Sequence, residues 1–62
     1  MPDIVIEDHG SVALFRPLCT QAREWLEKNT DGLWWSGALV VEPRYVVPLL
    51  LGARDEGFEV SV

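Results

Sequence analysis

Asp8, His9 and Ser11 fall within one four-residue stretch, and Cys19 follows in the next segment of the chain. These are the side-chain types of nucleophilic catalysis: a hydroxyl or thiol, an imidazole base, and a carboxylate to orient it. Their spacing argues against that use. A working triad is gathered in space beside an oxyanion hole and a pocket, whereas Asp8-His9-Gly10-Ser11 reads as a single turn with an exposed His9. Cys19 precedes a predicted helix, where a thiolate is favoured. No second cysteine or placed histidine accompanies it, so it reads as a semi-buried structural residue. His9 is the only histidine and Cys19 the only cysteine, while a zinc site needs about three or four ligands at recognisable spacing. The chain has no EF-hand loop, P-loop or glycine-rich dinucleotide fingerprint. The expectation is therefore no cofactor, no metal and no enzyme. An enzyme would need a pocket gathering His9, Cys19 and several carboxylates, for which a chain this short has little room.

The remaining chemistry is that of recognition. Trp34 and Trp35 stand side by side in a run that reads as a strand, Leu33 to Glu42. Successive strand side chains point to opposite faces of a sheet, so one indole faces the core and the other faces out. Which one is left open by the alternation alone. The outward ring is either a lid on a small core or an anchor for a partner. Tyr45 and Arg44 offer a similar choice. They are residue types enriched at interfaces, or Tyr45 packs at the core edge while Arg44 pairs with Glu42. The acidic residues fall in three groups: Asp3, Glu7 and Asp8; Glu24, Glu27 and Asp31; Asp55, Glu56 and Glu59. Held on a rigid surface, they can imitate phosphates and occupy a basic nucleic-acid-binding groove, with electrostatic steering of the encounter. The alternative is three solvated faces.

These side chains need a frame. Asp3 to Glu7 alternates and reads as a strand. Residues 8–11 have turn chemistry, and Val12 to Arg16 returns as a second strand closed by Pro17. Residues 20–29 read as a helix: Leu18, Ala22, Trp25 and Leu26 make its apolar stripe, and Thr20 is a plausible N-cap. Asn29 to Gly32 stops it. The tryptophan strand follows, with Gly37 marking a bulge, a bend or a close approach. Glu42-Pro43 opens a second helical segment. Pro48 within it predicts either a separate turn before the helix proper or a kink. Gly57 is a predicted C-cap, and Phe58, Val60 and Val62 alternate as a last strand. The order β-β-α-β-α-β predicts an α+β two-layer sandwich, a mixed four-stranded sheet with two helices on one face. The other face is then largely open.

Sixty-two residues suffice for one domain, 1–62, and a domain of this size buries only about 60% of its unfolded surface. Ten acidic residues oppose five basic ones, for a net charge of −5. That argues against non-specific nucleic-acid binding and docking on anionic lipid, both of which draw on an excess of Lys and Arg. The longest apolar run, Val46 to Leu51, cannot span a bilayer. The absence of a disulfide framework and of a basic, apolar leader predicts a cytoplasmic protein.

Several strings taken together resemble a group of short, mostly uncharacterised proteins of bacteriophages and other bacterial mobile elements. They are His9-Gly10-Ser11, Pro17, Ala22-Arg23-Glu24-Trp25, Gly37-Ala38, Glu42-Pro43-Arg44-Tyr45-Val46 and Gly57. Similar sequences often carry threonine in place of Cys19. Size and acidity with that resemblance look like anti-CRISPR proteins. The resemblance implies stoichiometric inhibition in a bacterial host cell. Its implied partner is a Cas protein of a type I complex, subtype I-C among the candidates, engaged at a basic DNA-binding surface. A structural or regulatory homodimer of a mobile element is the other expectation, with two chains pairing through the open sheet face or an edge strand.

Overall fold

Alternating apolar residues build the centre of the sheet. In the computed structural model, which describes residues 1–62, β1 (Ile4–Asp8) and β2 (Ala13–Pro17) form an antiparallel hairpin, with Ile6 opposite Phe15 and Asp8 opposite Ala13. The turn between them uses the predicted chemistry. The Asp8 carboxylate accepts a hydrogen bond from the Gly10 N–H at 2.9 Å, and Gly10 takes φ +81°. Helix α1 spans Thr20–Asn29, the predicted bounds, and buries Ala22 and Leu26, whereas Leu18 of the predicted stripe lies before the helix and is exposed. Its N-cap position is held by Cys19 and not by Thr20, and no side chain caps it.

The tryptophan run is where the structure departs from expectation. It is not one strand but a tight hairpin, β3 (Trp34–Trp35) and β4 (Ala38–Val41), with Trp34 opposite Leu39 and Trp35 opposite Ala38. Ser36 and Gly37 form its two-residue loop with φ of +52° and +79°. Two successive positive φ values mark the turn whose twist suits a hairpin. Gly37 is therefore a turn residue, and of the bulge, bend or close approach expected there the chain makes a sharp bend. The sheet gains a fifth strand, and the order becomes β-β-α-β-β-α-β.

Helix α2 runs without interruption from Pro43 to Asp55, with Pro43 in its first turn and Pro48 inside it. Proline at the first helical position gives up an N–H that has no intrahelical partner there. Pro48 does remove a donor, the one that would serve the Arg44 carbonyl, yet the helix continues past it. Gly57, at φ +96°, ends the helix. Its N–H bonds the Arg54 carbonyl, and the Phe58 N–H bonds that of Ala53. This pair of bonds is a Schellman closure. It delivers Phe58 onto Trp25, ring centroids 6.0 Å apart and tilted by 59°. The final strand, β5, is short, Val60–Ser61, and pairs parallel with β1.

The sheet order is β3-β4-β2-β1-β5. Cross-strand partners share a face, so Trp34, Leu39, Phe15, Ile6, Ile4 and Val60 all point to one side. There they meet Ala22 and Leu26 of α1 and Ala53 of α2 in a single core. Both helices thus cover one face, as the two-layer sandwich requires. No helix is long and apolar enough to cross a membrane.

Candidate partner-binding surfaces

The hairpin decides the fate of the two indoles. Trp34 packs against the core, and the Arg23 guanidinium carbon lies 5.1 Å from its ring centroid. Trp35 turns to the uncovered face and is 62% exposed. On that face the same alternation places Val5, Leu14, Val40 and Ala38 beside two charged residues, Glu7 and Arg16. Leu14 and Ala38 are buried although no helix covers them. Arg16 is placed to help. Its Nε lies 3.3 Å from Glu7 Oε2, and its Nη1 donates to the Ser36 carbonyl at 2.9 Å. One side chain thereby links the first hairpin to the turn of the second across the outer face, its stem available to shield apolar neighbours.

Glu7 also lies 3.5 Å from the His9 ring nitrogen Nε2. The hydrogen bond from Arg16, followed by that from His9, holds the Glu7 carboxyl below its ordinary value of 4.5. A carboxyl depressed in the folded state binds fewer protons there than in the unfolded chain. Its stabilisation is present above the ordinary value and is lost as pH falls through the depressed one. Glu7→Gln should therefore flatten the acid side of the thermal-midpoint profile. The wild type and the variant should converge at low pH and separate as pH rises past the ordinary carboxyl range. Profiles that stay parallel at all pH would contradict this.

The other predicted carboxylates divide by place. Asp3 and Asp8 sit at opposite ends of β1, so the first group does not form one cluster. Asp3 works inside the fold. Its Oδ2 accepts from the Glu59 N–H at 2.8 Å, and its Oδ1 lies 3.8 Å from the Cys19 thiol. This joins Asp3 to Glu59, which follows the α2 terminus that carries Asp55 and Glu56. Glu24 and Glu27 are exposed on α1, with Glu27 paired to Arg23 at 3.3 Å. Asp31 lies beyond the helix, in the loop toward β3.

Three of the ten carboxylates, Glu7, Glu27 and Glu42, pair with arginine; the other seven have no Lys or Arg nitrogen within 4.0 Å. The catalytic types do not converge. His9 reaches Glu7, Cys19 reaches Asp3 at the other end of the first hairpin, and no three His, Cys, Asp or Glu side chains are placed to hold a metal ion.

Sequence reasoning did not find a half-open groove of about 550 Å³ between the helices. Its walls come from Trp25, Leu49 and Gly52, with buried Leu39 at its floor. Asp31, Glu42 and half-exposed Tyr45 stand at its rim. Two glycines shape the surroundings. A β-carbon at Gly52 would lie 3.4 Å from the Trp25 ring, and one at Gly32 would come 2.7 Å from Leu39 Cδ1. The C-terminal turn of α1, which borders the groove, is closed by its own side chains. Asn29 Nδ2 donates to the Trp25 carbonyl and Thr30 Oγ1 to that of Leu26, each at 2.8 Å. The chain matches no protein-family model, no curated protein and no solved structure.

Proposed function

We propose that this chain is a non-catalytic acidic binding protein that occupies a basic, nucleic-acid-binding surface of a partner protein. The observation that carries the reading is the excess of carboxylates free of ion pairs on a small ordered frame. Seven such groups produce a negative field that steers a basic surface toward the chain, and Trp35 supplies an apolar anchor. The resemblance to short phage proteins makes the target specific: a Cas protein of a type I CRISPR complex, inhibited in the bacterial cell by exclusion of DNA.

Purified type I complexes of several subtypes, titrated with the protein in the presence and absence of target DNA, test this directly. The expected result is mutual exclusion of DNA and protein. Affinity should fall as added salt shortens the Debye length from about 10 Å at 0.1 M to about 3 Å at 1 M. No association at micromolar concentration with any subtype would sink the proposal. Affinity indifferent to salt would move the weight from the carboxylates to Trp35.

The uncovered sheet face supports a second reading, a structural or regulatory homodimer of a mobile element. Val5, Val40 and Trp35 would then be covered by a second copy in an isologous contact. Sedimentation at tens of micromolar decides it, since a monomer there counts against the dimer.

A further inference from the structure

The groove between the helices combines two environments that one type of side chain satisfies together. Its interior is apolar and aromatic, from Trp25, Leu39 and Leu49, and its rim carries the carboxylates of Asp31 and Glu42. Lysine and arginine lay a hydrocarbon stem along apolar surface while their heads stay with water and acceptors. The rim already demonstrates this chemistry with a residue of the chain itself. The Arg44 guanidinium carbon lies 4.9 Å from the Tyr45 ring centroid, and Arg44 Nε lies 3.4 Å from Glu42 Oε2. Both partners line the groove, whereas Arg44 does not. All of this is near the surface, so the bound guanidinium can exchange. Asp31 has no cation of its own.

We propose that the groove receives an arginine side chain of the basic partner, an inference that rests on the reading given above. The incoming stem lies against Trp25 and Leu49, and its guanidinium is shared by Asp31 and Glu42. The planar fork of arginine matches carboxylates and stacks on aromatic rings, which an ammonium does less well. Arg44 is then an internal competitor that occupies Glu42 and Tyr45 until the partner arrives.

The test is a titration of isotopically labelled protein with a short oligo-arginine peptide at low salt, followed by NMR. Peptides with citrulline or lysine in place of arginine serve as the comparison. The arginine peptide should move the signals of the Trp25 indole, Gly32, Tyr45 and Gly52, more strongly than the lysine peptide does. Asp31→Asn combined with Glu42→Gln should weaken binding about fivefold, as for two exposed rim charges. Both residues are exposed, so the remaining spectrum should show an intact fold. Arg44→Gln should tighten binding, and more than Arg54→Gln, which makes the same change in net charge outside the groove. If the citrulline peptide moves the groove signals equally, the proposal is overturned. Shifts confined to Asp3, Asp55, Glu56 and Glu59 also overturn it, while leaving a basic partner in place. Shifts nowhere overturn both.

Discussion

Phe15→Ala is expected to leave the protein largely unfolded at 25 °C. Phe15 is fully buried on β2, the central strand of the sheet, with Ile6 and Leu39 as its cross-strand neighbours on either side. Truncating a buried phenylalanine to alanine costs about 3–5 kcal/mol, from lost transfer free energy and the cavity left behind. Stability of about 0.05–0.15 kcal/mol per residue gives a domain of this length only about 3–9 kcal/mol in total. Just 11 of the 62 residues are buried, so the neighbours have little core with which to compensate. Far-UV circular dichroism and urea titration check this. The wild type should unfold in one cooperative transition, and the variant should lack a folded baseline. Val47→Ala, at an exposed position of α2, should change stability by no more than about 0.5 kcal/mol. An unchanged urea midpoint in Phe15→Ala would contradict the packing described for β2.

The adjacent indoles should separate into two phenotypes. Trp35→Ala removes a largely exposed ring and should alter stability by at most about 0.5 kcal/mol. If Trp35 anchors the partner, the same change should cost at least about 2 kcal/mol of binding, roughly thirtyfold in Kd. Trp34→Ala should behave in the opposite way. It removes a ring packed on the core and the cation–π contact with Arg23, and should lower stability by about 2 kcal/mol or more. Any loss of binding should then follow the loss of fold. Parallel urea titrations and binding isotherms distinguish the two. A Trp35→Ala variant that binds with wild-type affinity would remove the anchor from the proposed interface and leave the carboxylates alone to explain it. If that variant instead changes sedimentation and not partner affinity, the homodimer is favoured.

Much of this architecture is legible in the residues themselves. The first hairpin follows from alternation and the Asp8-His9-Gly10 turn, and the bounds of α1 from its apolar stripe. The closure at Gly57 follows from the freedom of glycine at positive φ. Opposite orientation of Trp34 and Trp35 follows from strand alternation and survives the change from one long strand to a hairpin, because both residues remain in β3. The hairpin itself was hidden. Leu33 to Val41 is almost continuously apolar, and only Ser36-Gly37 interrupts it. A Ser-Gly pair is a recognised turn signal, but here serine must take a positive φ, which β-carbon sterics disfavour. Placing the turn therefore required the pairing of Trp34 with Leu39. Pro48 left a separate turn and a kink open, and the continuous helix removes the separate turn. Loss of one donor argues locally for a break, whereas packing of Val46, Leu49, Leu50 and Ala53 on the core holds the helix together across it. The groove could not have been read from residue order. It exists because two helices on the same sheet face leave space between them, and Gly52 and Trp25 determine its shape from distant positions in the chain. The carboxylates were visible as a composition, but their roles were not. Asp3 is tied to Glu59, Asp8 closes a turn, and Glu7 belongs to Arg16 and His9.

The parallel pairing of β5 with β1 bears on how the chain comes into being. Asp3 accepts a hydrogen bond from a residue 56 positions away, and Ile4 lies beside Val60. During synthesis, the first strand emerges from the ribosome long before its partner exists. The β1–β2 hairpin and α1 can form early from local contacts. One edge of β1 must wait, solvated, until the chain has been made as far as β5. Pairing so distant in sequence is slow to form, so completion of the sheet belongs to the last moments of folding, after translation has passed Val60. Until then, the negative charges around Asp3 discourage another nascent chain from taking the place reserved for β5.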